Sequence, residues 1–159
     1  MNPVRRLLPL IACLIATAVL AATTSNLPRT NTRDAIKAYV VSAAKIVQKS
    51  GPSCATFSSP EWRGGDYYIF VLGPDGALIC HPTASMIGKP AATIVNAEGV
   101  KVGEMIAAKG KGKGTGWLEY AWPQPGKTAE QPKSTYVMGL TGPDGKHYVV
   151  GSGGWNVTK

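Results

Sequence analysis

"YYIFVLGPDGALICHP", residues 67–82, is the stretch that decides the fold. Tyr67 to Leu72 is an aromatic and β-branched run, Gly73-Pro74-Asp75-Gly76 is a turn, and Ala77 to His81 answers as a second strand. Asp75 suits such a turn because its side chain can accept from the backbone two residues on. The same tetrapeptide returns at Gly142-Pro143-Asp144-Gly145, between Tyr136–Leu140 and His147–Gly151. The flanks of the two copies share little else, so they mark two hairpins and not a duplication.

Working outward, Ala97 to Ala108 supports a helix between the hairpins, with Val100, Met105 and Ile106 as its buried residues. Trp117 to Trp122 is a further strand. Upstream, Asn31 can cap a helix whose first turn holds Asp34, and Ile36, Val40, Ala43 and Val47 form its apolar stripe. Gly51-Pro52 ends it. The order is helix, strand, strand, helix, strand, strand, strand. That pattern predicts an α+β domain with helices packed on one antiparallel sheet of about five strands.

The 159 residues suffice for one domain with its own core. Nineteen Gly and twelve Pro imply many turns and short strands. Arg5 and Arg6 precede an apolar run from Leu7 to Ala22, and small residues around Val19-Leu20-Ala21 suit a signal peptidase. The run is shorter than the roughly twenty residues of a membrane span. Residues 1–21 are therefore expected to be a cleaved export signal, with a retained anchor or a lipid attached at Cys13 as alternatives. Residues 22–30, rich in Thr, Ser, Asn and Pro, read as a linker before a domain over 31–159. Cleavage removes two arginines and no acids, so the net charge of +8 falls to about +6. It also leaves Cys54 and Cys80 in an oxidising compartment, where one disulfide is the simpler expectation than a metal site.

Several chemistries find little support. Ala121 to Thr128, AWPQPGKT, fits a relaxed phosphate-loop pattern, but Pro123 and Pro125 remove amide donors. No helix can start before Pro132 and the β-branched run that follows it. Lys109, Lys111 and Lys113 alternate with glycine, which suggests a mobile, solvated loop and no nucleic-acid surface. With two histidines and no recognisable catalytic motif, an enzyme is not expected, nor is a metal or other cofactor.

The aromatic segment around that proline-rich turn remains. Trp117, Tyr120, Trp122, Lys133 and Tyr136 either are core aromatics beside an exposed lysine or form a small concave site. In the second case tyrosine hydroxyls, a tryptophan N–H and one ammonium converge on a carboxylate. Trp117 and Trp122 cannot both share a face with Tyr120 in a regular strand, and Lys133 and Tyr136 lie on opposite faces unless a bulge follows Pro132.

Taken together, "YYIFVLGPDGALICHP", "SMIGKP", "GWLEYAWPQPGK", "KSTYV" and "HYVVGSGG" resemble the Cache domains, specifically the single-Cache sensor modules of bacterial chemoreceptors and histidine kinases. The likeness runs from about Asn31 to Trp155. It implies a PAS-like fold, a long N-terminal helix against an antiparallel sheet, and a pocket for a small extracellular metabolite such as a short carboxylate or amino acid. Tyr68, His81, Trp117, Tyr120, Trp122, Lys133 and Tyr136 occupy motif positions expected to line or brace that pocket, with Arg63 a second possible carboxylate partner. Two departures stand out: no apolar span follows Trp155, and Gly154-Trp155 replaces the usual aliphatic-aromatic pair. The expectation is a free-standing, non-catalytic periplasmic or secreted module that passes its ligand state to a membrane receptor or kinase.

Overall fold

The structure, a computed structural model, describes residues 25–158. The expected export signal and Cys13 lie outside them. Helix α1 spans Arg33–Ser50, and Ile36, Val40, Ala43 and Val47 are fully buried on one face. Its cap is Thr32, one residue later than expected, whose hydroxyl accepts from the Ala35 amide. Asn31 instead ties the start of α1 to the end of the chain. Its side-chain amide donates to the carbonyls of Trp155 and Asn156, and its Oδ1 accepts from the Tyr67 hydroxyl. Gly51, at φ 78°, closes the helix.

A short helix α2 (Cys54–Phe57) follows in the connection that the sequence left irregular. Strands β1 (Phe70–Leu72) and β2 (Leu78–Cys80) form the first hairpin, shorter than the expected runs. Helix α3 is confined to Val102–Lys109. The first half of the expected 97–108 helix is instead a turn, because Asn96 Oδ1 accepts from the amides of Glu98 and Val100. Val100 is accordingly exposed, Met105 half-buried, and Ile106 buried. Strands β3 (Thr115–Pro123), β4 (Glu130–Thr141) and β5 (His147–Trp155) complete an antiparallel sheet in the order β2-β1-β5-β4-β3.

The fold is thus the expected PAS-like α+β arrangement in three layers. Helix α1 covers one sheet face, over Ile69, Val71, Tyr136, Tyr148 and Val150. Residues 81–109, carrying α3, cover the other, over Phe70, Leu72, Val137, Val149 and Trp155. The Lys109–Gly114 loop is not the free loop its glycines suggested. Gly139 donates to the Gly114 carbonyl at 2.8 Å, and a Cβ on Gly139 would lie 1.8 Å from the Gly110 carbonyl oxygen. The loop backbone therefore sits directly on β4 while the three lysines stay exposed.

Cys54 and Cys80 are joined, as expected, with Cα atoms 5.2 Å apart. The bridge ties α2 to the end of β2, next to His81. Replacing both cysteines with serine should cost about 3–4 kcal/mol from loop closure alone, read as a lower urea midpoint. A loss below about 1 kcal/mol would mean that the segment stays closed without the bridge.

Candidate functional site

Between the sheet and the 81–109 cover lies a cavity of about 30 Å³, bordered by Tyr68, His81, Tyr120, Trp122 and Lys133 among apolar walls. A water needs roughly 10–15 Å³ by this measure, so the space suits two or three waters or one very small molecule. Phe70, Leu72, Leu78, Met86, Ile94, Val102 and Ile106 supply the walls. An outer recess of about 200 Å³ shares Tyr68, His81, Met86 and Trp122 with it, and adds the Pro123–Lys127 turn. Gln124 anchors that turn by donating to Asp66 at 3.1 Å, and it accepts from Lys127 at 2.7 Å. The supposed phosphate loop is therefore a turn at a pocket mouth, followed by a strand and not a helix.

Lys133 dominates the inner cavity. It is only 1% exposed, although lysine is almost never fully buried unless paired. Regular β4 register sets it directly opposite Tyr120 on β3 and Trp155 on β5, with no bulge after Pro132. Its stem reaches across β5 because residue 153 is glycine: a Cβ there would lie 2.9 Å from Lys133 Cε and 2.3 Å from the Ser134 carbonyl oxygen. The ammonium then donates to the Tyr68 hydroxyl at 2.8 Å and lies 4.4 Å and 4.6 Å from the ring centroids of Tyr68 and Trp155. Aromatic faces compensate part of a cation's lost hydration.

Among the described residues no carboxylate forms a salt bridge with Lys133; the two ion pairs are Arg33–Glu119 and Lys101–Glu104. Burial consequently pulls its pKa down to about 7, with only a partial upward pull from Asp66. The other polar groups also present donors. Tyr120 accepts from Thr135 Oγ1 at 2.9 Å, which leaves its own hydrogen free, and burial raises its pKa. Tyr68 accepts from Lys133 and is likewise raised, chiefly by burial. His81 Nδ1 accepts from the Thr83 amide at 3.0 Å, which places the neutral ring's hydrogen on Nε2. Burial and then Lys133 lower its pKa to about 4, so it is neutral at pH 7.

The structure thus brings Tyr68, His81, Tyr120, Trp122 and Lys133 together. It does not bring Trp117 and Tyr136 with them. Both point to the opposite sheet face, where their rings pack 5.3 Å apart, Arg33 lies over Trp117, and Lys37 lies near the Tyr136 ring. They brace the start of α1, as strand parity requires. Arg63 is exposed and borders a separate small recess with the disulfide, Tyr68 and His81. Trp155 and Gly153 join the site without having been expected there. The alternation of glycine and other residues in GSGGW, in phase with Lys133 across the ladder, was the available signal.

No three His, Cys, Asp or Glu side chains cluster to hold a metal among the described residues, and no described helix is long and apolar enough to cross a membrane. The Lys109, Lys111 and Lys113 side chains do not border the cavity. Changing all three to Gln should leave small-ligand affinity within about twofold by calorimetry. A larger loss would place the loop in the binding path.

A protein-family model described as Single Cache domain 2 matches residues 21–154. No curated protein matches. Among solved structures, the chain is similar to a periplasmic sensor domain of a chemotaxis protein at 25% identity and TM-score 0.54, covering 64% of this chain and 69% of that one. A methyl-accepting chemotaxis protein from Vibrio parahaemolyticus shares the fold at 21% identity and TM-score 0.55, over 77% and 86% of the two chains. A Cache chemosensory domain described for carboxylic acid recognition aligns at 31% identity and TM-score 0.48, over 59% and 63%. The chain belongs to the Single Cache domain 2 family.

Proposed function

We propose that this Cache domain is an exported sensor module that binds a small organic anion and reports its occupancy to a membrane signalling partner. Family membership and the likeness to a periplasmic chemotaxis sensor domain support the sensor role and the compartment. The observation that carries the ligand class is the polar inventory of the cavity: a buried ammonium without a carboxylate partner, surrounded by hydroxyl and imidazole donors. An anion would supply the missing acceptor and charge. Of the two anticipated ligands, a short carboxylate fits better than an amino acid, because the cavity lining includes no carboxylate to receive an ammonium. The cavity is proposed to bind its ligand and not to turn it over.

A thermal-shift screen with short carboxylates, amino acids and amines tests this. A carboxylate at a hundredfold excess over its Kd should stabilise the fold by about 2.7 kcal/mol, while amines do nothing. No shift with any carboxylate would favour a protein-interaction module with a degenerate pocket.

The affinity should also depend on pH in a defined sense. The Lys133 pKa falls from the usual 10.5 to about 7 on folding, so the unfolded chain holds more protons between these values. The Lys133 contribution to unliganded stability should therefore be flat below about pH 7 and rise towards pH 10.5, while His81, lowered from 6.5 to about 4, adds a separate rise between those two values. Anion binding needs the charged form, so affinity should be constant below about pH 7 and fall by up to tenfold per unit above it. Calorimetric titrations from pH about 6 to about 9 give the profile.

A further inference from the structure

The features that suit Lys133 to an anion also make it a candidate nucleophile. A primary amine attacks carbonyl carbon only in its neutral form, and apolar burial without a counter-ion favours that form. Lys133 meets the condition among Phe70, Leu72, Leu78, Ile94, Val102 and Ile106. The titratable groups around it are Tyr68 and Asp66 ahead of β1, His81 after β2 and Tyr120 on β3; α3 contributes only Val102, Gly103 and Ile106 to the cavity. None forms an ion pair with it among the described residues. The pKa of about 7 agrees. About half of Lys133 is then neutral at pH 7, against fewer than about one in a thousand ordinary exposed lysines.

We propose that Lys133 also captures short aldehydes by reversible imine formation, which makes the cavity a receptor for small carbonyl compounds. This rests on the cavity described above but not on its ligand being an anion. The Nζ lone pair forms the N–C bond, and the carbonyl π pair moves to oxygen, which takes a proton from the Tyr68 hydroxyl 2.8 Å from Nζ. One amine proton restores Tyr68. The C–O bond then breaks as nitrogen forms C=N, and the oxygen leaves as water carrying, in net, both amine hydrogens. No oxidant or reductant is consumed. Apolar walls slow the return of water, and the small volume admits a chain of two or three carbons better than a longer one.

The test uses the full, disulfide-bonded chain with limiting acetaldehyde and excess sodium cyanoborohydride at pH about 7, so that attack by the neutral amine sets the rate. The imine nitrogen takes a proton from water, cyanoborohydride delivers hydride to the imine carbon, and the N-ethyl group that remains is located by peptide mapping and mass spectrometry. Lys133 should be ethylated at least about tenfold faster than Lys109, Lys111 and Lys113, with a rate that rises through pH about 7 and then levels. Lys133→Met should abolish that label and leave the surface lysines unchanged. Label confined to the surface lysines, in protein that acetate still stabilises, would overturn the aldehyde proposal and leave the anion reading intact. Rapid label at Lys133 in protein that no carboxylate stabilises would support the aldehyde proposal and overturn the anion reading.

Discussion

Lys133→Met should weaken carboxylate binding by about ten- to a hundredfold and at the same time make the unliganded domain more stable. The first effect is the loss of a buried charge-assisted hydrogen bond, worth roughly 1.5–3 kcal/mol. The second follows because the lysine is fully buried without a carboxylate partner among the described residues. Methionine fills much the same volume with no charge to desolvate, so the variant should unfold at a higher urea midpoint even though Tyr68 loses its Lys133 donor. A residue that lowers stability and raises affinity is the signature of a binding group. Tyr120→Phe keeps the ring and removes one donor, so its effect on affinity should be smaller, about 1 kcal/mol. If Lys133→Met melted lower and bound unchanged, the lysine would be a structural element of the core and the anion would sit elsewhere, with Arg63 and His81 the next candidates.

Gly153→Ala should be nearly as damaging to binding although residue 153 does not line the cavity. Its new methyl would meet Lys133 Cε, Thr135 Oγ1 and the Ser134 carbonyl, all under 3 Å away. The lysine stem and the Thr135 hydroxyl that orients Tyr120 must both move. Overpacking of this kind costs about 1–3 kcal/mol of stability. Affinity should drop at least about tenfold in protein that still unfolds cooperatively. The contrast with Lys133→Met is diagnostic, since the two variants shift stability in opposite directions and affinity in the same one. Unimpaired binding in Gly153→Ala would show that the lysine reaches the ligand by another path.

The sheet, α1 and the two GPDG hairpins were legible because each is written in local terms: apolar period, turn residues, stop signals. The Thr32 cap and the Asn96 turn were not, since either of two adjacent polar residues can cap a helix, and an Asx turn competes with helix on nearly equal terms. The site divides in the same way. Strand parity allowed only one of Trp117 and Trp122 to share a face with Tyr120, and set Lys133 apart from Tyr136 unless a bulge intervened. Yet all of them were expected at the pocket. The regular ladder register leaves Trp117 and Tyr136 on the other face. The burial of Lys133 could not be read locally. It depends on Gly153 and Trp155 from β5 and on Tyr68 from the approach to β1, three contacts that only the strand order β1-β5-β4 assembles. Arg63 is a cation close to the motif in sequence, but its side chain stays exposed outside the inner cavity.

The most direct test of the central claim is the number of protons taken up when acetate or propionate binds at pH about 8, from calorimetry in two buffers of different ionisation heat. With its pKa near 7, unliganded Lys133 is then mostly neutral and must be protonated to pair with the anion. Uptake should approach one proton per ligand at pH about 8, decline to almost none at pH about 6, and be absent in Lys133→Met. Tight carboxylate binding with no proton uptake at either pH would contradict that claim.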